Sequence, residues 1–155
     1  MAGADPRRLF GVDIKEWVFQ TAELMSEPTP LSDRSHWVRA WGETYSKLGG
    51  LSRSCGNKGC PRAAAFGLWY LGRLKATGRT LQKWPASRVV KELGRNASYA
   101  VIAADLYAGD PRQAPREAWR AVRRNFRRET GQDATHGEQG QVRVVWALGR
   151  AGLLR

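Results

Sequence analysis

Two stretches of this chain carry residue types that could do chemistry. The first, SCGNKGCPR at residues 54–62, sets Cys55 and Cys60 five positions apart, with Lys58 between them and Arg62 directly after Pro61. With Cys60 at or beside an N-cap and Pro61 at the first helical position, the free N–H groups and dipole of the helix would face the loop. Lys58, Cys60 and Arg62 then form a candidate site for a phosphate or carboxylate. Such a field also favours thiolate over thiol, which makes Cys60 the candidate nucleophile of the chain. Nucleophilic chemistry needs a base, and nothing in the sequence brings either histidine, His36 or His136, to Cys60. Cys55, Cys60, His36 and His136 would be the ligands of a zinc site, but C-x4-C spacing lies at the edge of structural sites and the two histidines are isolated. A glycine turn leading into a Pro-started helix with a small buried cysteine is the plainer reading. No metal or cofactor is expected.

The second stretch is PREAWRAVRRNFRRE at residues 115–129. On a helical wheel, Arg116, Arg120, Arg123, Arg124, Arg127 and Arg128 fall inside an arc of about 140°, while Trp119, Val122 and Phe126 fall inside a separate arc of about 60°. One face is apolar and the other is guanidinium, with only Glu117 to relieve the repulsion. A polyanion would relieve it, and arginines at this density can engage successive phosphates. Reading of base edges is less supported, because Asn125 and Gln113 are the only nearby amides suited to it.

The whole-chain charge points the same way. Lys and Arg number 26 against 14 Asp and Glu, giving +12, and 20 of the 26 are arginine. Such a field attracts nucleic acid, DNA or RNA, or another polyanion. The leading expectation is a basic nucleic-acid-binding protein that uses the arginine helix. The alternative is an adaptor docking on an acidic protein partner, and the third is a Cys60-dependent enzyme. Six of the seven tryptophans lie on apolar helical stripes; Trp84, in QKWPASR, does not, and is the candidate for stacking or partner contact.

These residues must be held by a small fold. A chain of 155 residues suits one domain, and no apolar run approaches the roughly 20 residues a membrane-spanning helix needs. No membrane association is expected. The first residues lack the apolar segment of a secretory signal, and two cysteines make no disulfide framework, so the expected compartment is the cytoplasm.

Apolar periodicity predicts helices over about 12–26, with Asp13 as cap, and from Ser32 or Asp33 to Gly49. Others are expected from Pro61 to Lys75 in a central place, around Val89 to Gly94, from a Ser98 cap to Gly109, and over 115–129. The final run QVRVVWALGRAGLL is read as helix. The expectation is therefore an all-α bundle of about six helices, with a helix-turn-helix-like C-terminal pair left open despite an eleven-residue connector. Trp69 to Arg73 and Trp146 to Arg150 share W-x-L-G-R, an internal echo with only two copies.

The segments NKGCPRAAAFGL, NASYAVIAADL and HGEQGQVRVVWALGRAGLL together resemble a family of small bacterial proteins classed as a domain of unknown function. The matching positions are Lys58, Gly59, Cys60, Pro61, Arg62, Ala65, Phe66, Gly67 and Leu68, followed by a Tyr-Ala helix and a terminal Gln-to-Gly-Leu helix. The resemblance spans roughly residues 32–154 and brings no activity with it. It implies a single helical domain, with 31–154 as the family-like core and 1–30 as an N-terminal helical extension. The arginine density of 112–128 looks particular to this chain.

Overall fold

Asp13 has extended backbone, and its carboxylate accepts the Glu16 N–H at 3.0 Å, so the first helix starts at the expected cap. The computed structural model describes residues 5–135 and 137–155. Helix α1 (Ile14–Leu24) turns Ile14, Trp17, Val18 and Thr21 inward. Ser32 caps α2 (Asp33–Lys47), accepting the Ser35 N–H. The Trp17 indole donates to the Trp41 carbonyl at 2.9 Å and the two rings stack at 4.1 Å, which fixes α1 against α2.

The architecture is all-α. Beyond α1 and α2 come the single turn α3 (Arg53–Gly56), α4 (Gly59–Tyr70), α5 (Ala86–Leu93), α6 (Arg95–Gly109), α7 (Pro115–Thr130) and α8 (Gln141–Arg150). A hairpin precedes α1: β1 (Arg8–Leu9) runs antiparallel to β2 (Val12–Asp13), with Leu9 opposite Val12. Its two turn residues, Phe10 and Gly11, both have positive φ (51° and 85°), as tight hairpins require. Among the described residues no helix is long and apolar enough to cross a membrane.

Helix α4 lies in the core as expected, buried from Ala64 to Trp69, and α6 shares the centre with it. Every residue from Ala97 to Ala104 is buried, and α4, α5, α7 and α8 all pack around it. A helix apolar on all sides belongs in such a place. It begins three residues before the expected Ser98 cap; Ser98 is buried and donates to the Ala86 carbonyl at 3.3 Å. Helices α4 and α6 make the most extensive helix contact, permitted by Gly67: a Cβ there would stand 2.5 Å from Ala97 Cβ.

Helix α4 ends at Tyr70, not Lys75. The Arg73 N–H returns to the Leu68 carbonyl at 2.8 Å around Gly72 (φ 68°), and α8 ends in the same way, Leu153 N–H to Leu148 O at 3.0 Å around Gly152 (φ 73°). The repeated W-x-L-G-R is therefore out of structural register: Gly72 matches Gly152, whereas the motif aligns it with Gly149. The two exits pair through a Leu74–Leu154 bridge.

Buried Arg73 ties this joint together, donating to the Arg155 carbonyl at 2.8 Å and to Asp105 at 2.7 Å. Replacing Arg73 with Met removes both charged bonds and is expected to cost about 2–3 kcal/mol in urea unfolding. Asp105→Asn should cost less than about 1 kcal/mol, since the Asp105 side chain is 68% exposed.

Candidate functional site

Helix α7 starts at Pro115, after the extended Ala114, and stops at Gly131 (φ 73°), whose N–H bonds the Arg127 carbonyl at 2.8 Å. Its rotation is set by Trp119 and Phe126, which meet Tyr99 of α6 edge-on at 5.3 and 4.8 Å. The opposite face must then point outward. Arg116, Arg120, Arg124, Arg127 and Arg128 are exposed, and Arg123 is half-buried.

The six arginines do not form one uniform strip. Arg120, Arg123, Arg124 and Arg127 line a groove of about 670 Å³, with Asp133 and Ala134 on its other side. Arg128 lies on the far flank, bonded to Asn125 Oδ1 and near Asp105 and Glu129. Arg116 stands one turn before the groove. Within the groove Arg127 pairs with Asp133, and the buried Arg123 Nε–H has no partner among the described residues. Arg116, Arg120 and Arg124 form no ion pair among the described residues. Asn125 donates its amide to the Ala121 carbonyl at 2.8 Å, so that donor serves its own helix. The Gln113 carbonyl receives the Trp146 indole at 2.9 Å.

Two groups at this site escaped the sequence reading. Arg95, at the start of α6, donates to the Asp133 carbonyl at 2.5 Å and lies 5.5 Å from the Phe126 ring centre. Asp133 sits beyond the helix stop. Arg95 follows Gly94, a recognisable helix boundary, but only the packing of α6 on α7 brings it to the groove.

At the other candidate site the helix begins earlier than expected. Lys58 occupies the N-cap without a side-chain cap bond, Cys60 is the second helical residue and Pro61 the third. Proline fits there because the first four N–H groups have no helical partner in any case. Lys58 is exposed, while Arg62 turns back to donate to the Asn57 carbonyl at 3.2 Å. The half-buried Cys60 thiol faces Gln139 Oε1 at 3.5 Å, and no imidazole or carboxylate bonds to it among the described residues.

His36 is buried on α2 and lines a separate polar pocket with Glu27, Thr29, Arg39 and Glu43. Among the described residues no three His, Cys, Asp or Glu side chains converge, so Cys55, Cys60 and His36 do not assemble a zinc site; His136 lies outside those residues. Trp84 is half-buried, edge-on to Tyr70 at 6.0 Å and covered by the Arg88 guanidinium at 3.8 Å. One face of its ring is thereby occupied. The other six tryptophans are all buried.

Fold and surface together define a small all-α domain whose outer helix presents arginine. The model of a family of unknown function, DUF6979, matches residues 19–155, and the chain belongs to that family. The match starts inside α1, ahead of residue 32. No curated protein and no solved structure matches the chain.

Proposed function

We propose that this domain binds nucleic acid, DNA or RNA, by contacting backbone phosphates along α7. The observation that carries this reading is the convergence of Arg120, Arg123, Arg124 and Arg127 on one groove, where among the described residues only Arg127 forms an ion pair. Residues 120 to 127 cover about 10.5 Å of helix axis. A nucleic-acid strand running alongside offers about three phosphates over that length. Arg116 lengthens the track, and Lys58 and Arg62 provide a second basic patch.

Buried tryptophans and the committed Asn125 amide favour contact with the backbone over reading of bases. In this reading the protein works in the cytoplasm and needs no cofactor. Fluorescence anisotropy with labelled duplex DNA, single-stranded DNA and RNA over a salt series tests it. Binding to all three is expected, with log K falling linearly against log salt at a slope of about −2 to −3. Absence of binding at low salt would sink the proposal. Equal competition by polyglutamate at matched charge would favour an acidic protein partner instead.

A further inference from the structure

The groove that the proposed function assigns to phosphate already holds an anion. Helix α7 stops at Gly131, and Thr130 Oγ1 accepts the Gln132 N–H at 3.1 Å, turning the chain back toward the helix. A few residues on, the Thr135 N–H donates to the Tyr99 hydroxyl at 3.1 Å, anchoring the returning strand on α6. Between these anchors Asp133 stands opposite the arginines. Its carboxylate pairs with Arg127, and its carbonyl takes a hydrogen bond from Arg95.

We propose that Asp133 is a built-in competitor for the groove: its carboxylate occupies Arg127 in the free protein, and an arriving phosphate must displace it. A guanidinium binds carboxylate and phosphate with the same forked geometry, so one ligand can replace the other. The Asp133 side chain is 78% exposed and Arg127 67%, so the pair separates into water. An exposed pair of this kind is weak, and it lowers affinity without abolishing it. A lone phosphate can settle on the unpaired Arg120 or Arg124, whereas a polymer held there must still win Arg127 from the carboxylate to extend its contact.

This inference rests on the phosphate reading of the groove. A purely structural Asp133, acting as a strut for Arg127, predicts the opposite sign. Anisotropy with single-stranded DNA separates the two, with thermal unfolding followed by circular dichroism to verify that the variants fold. Asp133→Asn is expected to bind about 3- to 5-fold tighter, with a salt slope steeper by about 0.7. Arg127→Gln alone should weaken binding by less than about 3-fold, and in the double variant it should erase the gain. If the wild type binds and Asp133→Asn binds equally or more weakly, the competitor is refuted while the groove stands. If neither the wild type nor any variant binds at low salt, both proposals fall.

Discussion

Arg120→Glu/Arg124→Glu/Arg127→Glu is expected to bind nucleic acid about 100- to 1,000-fold more weakly than the wild type at fixed salt. Arg120 and Arg124 each contribute a charged hydrogen bond to a phosphate, of about 1–1.5 kcal/mol after exchange with water; Arg127, held by Asp133, contributes less than about 0.7 kcal/mol, and repulsion from three glutamates supplies the rest. The salt slope should fall by about 1.4 on a single strand, because the Arg120 and Arg124 contacts no longer release counterions, while Arg127 merely exchanges the Asp133 carboxylate for a phosphate. All three side chains are exposed and both residue types favour helix, so α7 itself should persist.

Net charge is a confounding variable, since three reversals remove half of the chain's formal +12. The matched control makes the same change at Arg39, Lys47 and Arg53, which lie on α2 and α3, elements with no extensive contact with α7. That control should lose about 10-fold or less, through the long-range field alone. Equal losses in the two variants would mean that the chain binds by overall charge and that the groove has no special part.

Gly67→Ala is expected to destabilise the protein by about 2–3 kcal/mol, lowering the melting temperature by roughly 5–10 °C. On an isolated helix the same change would stabilise by about 1 kcal/mol. The sign reverses because the new methyl would lie 2.5 Å from Ala97 Cβ and 2.9 Å from Ala97 Cα. Backbone cannot swing aside as a long side chain can, so α4 and α6 must separate. Gly109→Ala is the paired control: no atom outside its own surroundings lies within 4 Å of the added carbon, and φ there is negative. It should leave the melting temperature unchanged or slightly raised, as scanning calorimetry would read.

Gly67 also explains the motif that stood out in the sequence. Pro61, Ala65, Phe66, Gly67 and Leu68 are buried, and the Arg62 carbonyl receives the Trp37 indole at 3.0 Å. The buried side of the turn-helix thus serves packing, and among the described residues no imidazole or carboxylate hydrogen-bonds to Cys60. Spacing alone could reveal the apolar side of α7 and hence the arginine side, because both follow from one helical period. The caps at Asp13 and Ser32 were legible for the same local reason.

What the sequence hid depends on contacts across the chain. The end of α4 follows from Gly72, where a Cβ would meet the Thr80 carbonyl at 2.3 Å, a neighbour that periodicity does not encode. The hairpin was masked because Phe10 takes the left-handed position that asparagine usually announces. Asp133 lies after the helix stop in a polar stretch, and long-range contacts, Thr135 to Tyr99 and Arg95 to the Asp133 carbonyl, carry it to the arginines.

The buried indoles have an optical consequence. Trp17, Trp41, Trp37 and Trp69 form a row with successive ring centres 4.1, 6.0 and 5.6 Å apart, crossing from α1 through α2 to α4. At such separations the transition dipoles of neighbouring indoles couple, so the row contributes to the near-ultraviolet ellipticity. The Trp17–Trp41 and Trp37–Trp69 couplings exist only while α1, α2 and α4 are docked. Loss of this band with far-ultraviolet ellipticity retained would therefore mark a chain whose helices have formed but no longer pack.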